Sequence, residues 1–143
     1  MTLPARILAV DYGSKRIGLA ISDPLGFTAQ PLPFLPNGGR KKILAALKEI
    51  ILEKSVQRIL VGLPKSLDDT LGPAALECQN LAEAIRKECG VEVALYDERF
   101  TTREAESFLV NELDVSRKRR KELIDSLAAC ILLRAYMNEN EKK

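Results

Sequence analysis

The chain has 143 residues, 46% hydrophobic and 29% charged, with no histidine. That composition fits one globular domain over residues 1–143, large enough to bury a core without disulfides. The lack of histidine excludes Ser-His-Asp and Cys-His catalysis, His-ligated zinc and an imidazole general base.

The net charge of +2 hides an uneven distribution. Residues 1–42 carry six Lys/Arg against two Asp/Glu, residues 43–116 eight against fourteen, and residues 117–143 eight against four. Two basic ends around an acidic middle fit an anionic partner on part of the surface. Cys78, Cys89 and Cys130 lack C-x-x-C spacing and read as small apolar residues of helices. No apolar run approaches the roughly 18 residues of a membrane span, and the N-terminus lacks signal-peptide architecture. A cytoplasmic protein without membrane contact is expected.

In chain order, Arg6–Asp11 is a short apolar run ending in an acid, and Ile17–Ser22 is a second such run. Tyr12–Arg16, containing Gly13, joins them as an antiparallel hairpin. A proline-punctuated stretch follows, in which Thr28–Leu35 suits an edge strand. Lys41–Lys54 has helical apolar spacing, and Arg58–Leu63 is a strand of the kind buried on both faces. Pro64–Gly72 is a loop; Pro73 starts a helix that Gly90 ends after Cys89. Val91–Tyr96 is the next strand. Thr101 and Glu104 form a capping box for a helix to about Leu113, and a last helix covers Lys121–Met137. Strands alternating with helices imply right-handed crossovers and a parallel portion, so the expected fold is α/β, a mixed sheet flanked by helices.

Ligand sites in such sheets lie beyond the carboxyl ends of the parallel strands. Asp11 ends the first strand, and Asp97 and Glu98 follow the last, so these acids emerge at one edge if the two strands run parallel. Asp125 lies in a helix that is apolar nearly all round, on a face shared with Ala128, Ala129 and Leu132. Such a helix is expected to be mostly buried, and a buried carboxylate needs a cation or hydrogen bonds. Carboxylates converging without histidine suit Mg²⁺ or Mn²⁺, and two such ions about 4 Å apart activate water in phosphodiester hydrolysis. Lys15, Arg16, Arg99, Arg103 and the run Arg117-Lys118-Arg119-Arg120-Lys121 supply cations for a phosphate backbone. With seven aromatics and no Trp, recognition rests on backbone and shape rather than base stacking.

Four stretches together resemble the YqgF family of pre-16S rRNA nucleases, also described as Holliday-junction-resolvase-like proteins. They are Val10–Ala20, Val61-Gly62-Leu63-Pro64, Asp97–Thr102 and Asp125-Ser126-Leu127-Ala128-Ala129. The resemblance implies an RNase H-like fold, a mixed five-stranded sheet with helices on both faces. It implies Asp11, Glu98 and Asp125 as the metal-binding catalytic acids, with Asp97 open as a further ligand. It also implies metal-dependent endonucleolytic maturation of the 5′ end of small-subunit rRNA. Ser66, Asp69 and Ala74 depart from the family pattern in and beside the Pro64–Gly72 loop.

Branched DNA is the alternative substrate, and a resolvase cutting paired strands works as a dimer; the expected state is a monomer or weak homodimer. A nucleotide-binding domain of the actin and sugar-kinase kind needs a second such domain, and Gly13-Ser14-Lys15 lacks P-loop spacing. A non-catalytic RNA-binding module gains nothing from carboxylates beside phosphate.

Overall fold

A computed structural model of the chain describes residues 5–64, 72–98 and 117–141, with side chains in the final helix from Ser126 to Glu139. Five strands, β1 (Ile7–Asp11), β2 (Arg16–Ser22), β3 (Ala29–Pro36), β4 (Arg58–Leu63) and β5 (Glu92–Asp97), form one sheet in the order β3-β2-β1-β4-β5. The opening hairpin pairs antiparallel through Val10↔Leu19 and Asp11↔Gly18, and β3 adds antiparallel to β2. β4 lies parallel to β1, and β5 parallel to β4. The sheet is therefore mixed, as the sequence implies.

Strand side chains alternate between faces, and the buried residues separate accordingly. Leu8, Val10, Ile59 and Val61 point to the face covered by α1 (Arg40–Lys54) and α2 (Pro73–Cys89). Ile7, Ala9, Leu60 and Tyr96 point to the other, covered by α3 (Arg117–Glu141). β4 is buried on both faces because helices cover each of them. The proline-rich β3 takes the sheet edge, where a missing N–H costs no ladder bond. Pro73 opens α2, and Gly90 closes it in the left-handed conformation at φ 66°.

Six elements have other bounds than expected, and one burial expectation needs correction. β1 starts at Ile7, β2 at Arg16 and α1 at Arg40, and β3 is Ala29–Pro36 rather than Thr28–Leu35. β5 is Glu92–Asp97 rather than Val91–Tyr96: Val91 falls in the bend after Gly90, and Asp97 pairs with Leu63. Asp97 is thus the last residue of the strand, and Glu98 the first beyond it. α3 spans Arg117–Glu141, so the basic run forms its opening turns instead of leading into it; Arg and Lys are good helix formers that apolar periodicity does not register. Nor is α3 buried all round. Ser126, Ala129, Cys130, Leu132, Leu133 and Met137 are buried, whereas Ala128 is exposed. The expected helix to Leu113 and residues 65–71 of the Pro64–Gly72 loop lie outside the described residues. Among the described residues, no helix is long and apolar enough to cross a membrane.

Candidate active site

The parallel strands β1, β4 and β5 end at the same edge of the sheet. Asp11 closes β1 on the face shared with Ala9, and Glu98 follows β5 on the face shared with Tyr96. β4 runs between them. The residue it presents there is Gly62, one place beyond the Val10↔Val61 pair. Across it, the Glu98 carboxyl hydrogen-bonds the Asp11 carboxyl.

Two carboxyls so close cannot both ionise at ordinary cost. Burial, then the Asp11 charge and the hydrogen bond to it, raise Glu98 from 4.5 to about 7, with Asp97 adding to the effect. Burial also raises Asp11, partly offset by the hydrogen bond from Glu98. The neutral Glu98 donates and the Asp11 carboxylate accepts. On the other face of the sheet, in α2, burial and the charges of Glu98, Asp11 and Glu77 push the Cys78 thiol up to about 11. It stays protonated and is no nucleophile.

The turn after Asp11 is braced from β3. Asn37 donates from Nδ2 to the Gly13 carbonyl at 2.8 Å, and from its backbone N–H to the Lys15 carbonyl at 2.9 Å. A Cβ on Gly13 would collide with the Arg16 carbonyl, so the turn requires glycine there. Lys15 and Arg16 stand exposed at the same end of the sheet as Asp11, with the Arg16 guanidinium 5.2 Å from the Phe34 ring centroid.

Asp125 lies on α3, and its side chain is outside the described set. Its neighbour fixes where that part of the helix sits. The Ser126 hydroxyl accepts from the Leu19 N–H at 3.3 Å and donates to the Leu32 carbonyl at 2.6 Å. It fills a break in the β2–β3 ladder, where the register shifts between Ile17 and Leu19. Leu19 pairs with Val10, the residue before Asp11, so Asp125 directly precedes in the chain an anchor held one strand from the acid pair.

The structure thus brings together Asp11 and Glu98, with Lys15 and Arg16 at the same end and Asp97 close enough to act on Glu98. Arg99 and Arg103 lie outside the described residues, as do the side chains of Arg117, Lys118, Arg119, Arg120 and Lys121. Among the described residues, no group of three or more potential metal ligands assembles. The pair itself fits a hard divalent cation. Its donors are all oxygen, and it gathers more negative charge than the burial tolerates without a proton or a cation. Sequence reasoning missed Asn37, Gly62 and Ser126 as site residues; the one signal was a glycine inside an otherwise apolar strand.

Sheet order, hairpin and strand-end acids define an RNase H-like α/β protein. Two solved resolvases share this fold. Thermus thermophilus RuvC, in complex with a Holliday junction substrate, superposes with a TM-score of 0.64 at 16% identity, over 96% of this chain and 97% of that one. A fowlpox virus resolvase with Holliday junction DNA gives 0.61 at 12% identity, over 94% and 98%. The sequence model of the family described as "RuvX: Holliday junction resolvase" matches residues 5–139. Two curated relatives are named "Putative pre-16S rRNA nuclease". That of Syntrophomonas wolfei is 47% identical over 133 residues, covering 93% of this chain and 94% of its own. That of Listeria monocytogenes is 45% identical over 135 residues, covering 93% and 97%. The chain belongs to the RuvX family, the YqgF family of the sequence motifs.

Proposed function

We propose that this protein is a divalent-metal-dependent endonuclease that hydrolyses phosphodiester bonds, with the 5′ end of pre-16S rRNA as its substrate. The observation that carries this reading is the Asp11–Glu98 pair, joined across β4 at the strand ends, with both carboxyls raised in pKa by burial and Glu98 further by the Asp11 charge. Perturbed carboxyls of this kind mark functional sites. The curated names of the relatives point the same way.

Asp11, Glu98 and Asp125 would hold Mg²⁺ or Mn²⁺, which on binding supplies Lewis-acid activation of water and stabilisation of the leaving oxygen. The chain's own residues do the rest. Glu98 gives up its proton as the site loads, leaving an oxygen-only anionic cradle. Lys15 and Arg16 hold the phosphate backbone beside it, joined by Arg99 and Arg103, and guanidinium groups grip phosphate oxygens in pairs. The basic run Arg117–Lys121 belongs to the opening of α3, the electropositive end of a helix, and adds five cations for a polyanion.

Branched DNA is the second reading, favoured by the family's description and by the fold shared with RuvC. The test is cleavage of an end-labelled small-subunit rRNA precursor beside a four-way DNA junction, each with Mg²⁺, Mn²⁺ or EDTA. Metal-dependent cutting of the RNA, abolished by Asp11→Asn, is expected. Faster cutting of the junction would transfer the proposal to DNA. Full cutting by Asp11→Asn would sink the acid site altogether.

A further inference from the structure

β1 and β5 are not neighbours, so carboxyls on their ends stand two strand spacings apart, about 10 Å. For them to touch, something must be missing from the strand between, and at that level β4 has Gly62. A Cβ built there would lie 2.6 Å from Glu98 Oε1, 3.3 Å from Glu98 Cδ and 3.0 Å from Leu132 Cδ2. The carboxyl of Glu98 occupies the space that a β4 side chain would take, and Leu132 of α3 roofs it.

The backbone does not ask for glycine at this position. The positive-φ glycines are Gly26, Gly39 and Gly90, and Gly62 is not among them. Its neighbours Val61 and Leu63 are ordinary strand residues, and a glycine weakens a strand interior. The requirement is for empty volume, and what fills that volume is a functional carboxyl.

We infer that Gly62 is a positioning residue: the gap it leaves in β4 is the channel through which Glu98 reaches Asp11. This deepens the nuclease reading and rests on it for the purpose of the pair, though not for the geometry. Alanine at 62 meets the ends of two flexible side chains: Leu132 has to give by a few tenths of an ångström and the Glu98 carboxyl swings away, at small cost to the fold. The loss falls on the site, because a displaced Glu98 no longer shares a ligand sphere with Asp11.

The experiment compares wild type with Gly62→Ala by melting temperature, by Mn²⁺ binding measured with electron paramagnetic resonance, by crystal structure, and by kcat and KM for cleavage. The variant should melt within about 5 °C of wild type. Its Mn²⁺ affinity should fall at least about tenfold, and kcat about a hundredfold with KM little changed. Its Glu98 carboxyl should have turned away from Asp11. A Glu98 that keeps its bond to Asp11, with Mn²⁺ affinity unchanged, would overturn the inference. Should Gly62→Ala fail to fold, the double variant Gly62→Ala/Glu98→Ala decides. Recovery of the fold supports Glu98 as the occupant of the gap; continued failure, with Gly62→Ala/Leu132→Ala folding instead, refutes it. A wild type that neither binds Mn²⁺ nor cleaves would defeat the nuclease reading, while the crystal structure still judges the role of Gly62.

Discussion

Where β4 and β5 begin, charge is matched. Arg58 donates from Nε and Nη2 to Glu92 at 3.0 and 2.8 Å, and its Nη1 reaches the Tyr136 hydroxyl at 3.4 Å. Arg6, just before β1, donates to the carbonyls of Ser22 and Lys54 at 3.0 and 2.9 Å. Where the same strands stop, Asp11 and Glu98 face each other; burial raises both carboxyls, and the charges of Asp11 and Asp97 raise Glu98 further. One end of the sheet is arranged for stability and the other against it. The core between the two ends offsets that expense, and the unfavourable end is the one that can take up a cation.

The contrast can be broken at several points. Asp11→Asn should reduce cleavage about a thousandfold or more, because no other described residue replaces that ligand. The same variant should melt at or above wild type in metal-free buffer at neutral pH, since it removes one of two crowded like charges; a large drop in melting temperature would mean that the pair is structural. Ser126→Ala leaves the Leu19 N–H and the Leu32 carbonyl without their bridge, and should cost about 1–3 kcal/mol in urea unfolding. At the matched end, Arg58→Ala should cost less than about 1 kcal/mol, because its partner Glu92 is largely exposed, and should leave cleavage unchanged. An effect of Arg58→Ala on kcat would blur the division between the two ends.

Much of this molecule was legible before any coordinates. β4 has the bounds its apolar run indicates, and Pro73 and Gly90 bracket α2 as their chemistry requires. Errors gathered where side-chain pattern and backbone bonding part company. Asp97 joins β5 because its backbone pairs with Leu63, whatever its polarity, and α3 begins in a run of cations that carries no apolar period. Asp11 and Glu98 could be placed at one edge from strand ends alone. What crosses between them could not, because the role of Gly62 depends on a carboxyl from another strand filling its space. Ser126 was hidden similarly, with partners 107 and 94 residues away in sequence.

The central claim, that Asp11 and Glu98 form a cation site, is tested most directly by melting temperature against pH with EDTA or Mn²⁺. Both groups hold protons more tightly folded than unfolded. The folded state therefore binds more proton between about pH 4.5 and 7, and metal-free stability falls as pH rises through that window. Mn²⁺ needs the deprotonated pair, so its stabilisation should be small below about pH 5 and greatest above about pH 7. Asp11→Asn should flatten both trends. Equal Mn²⁺ stabilisation across the range, or its persistence in Asp11→Asn, would contradict the account.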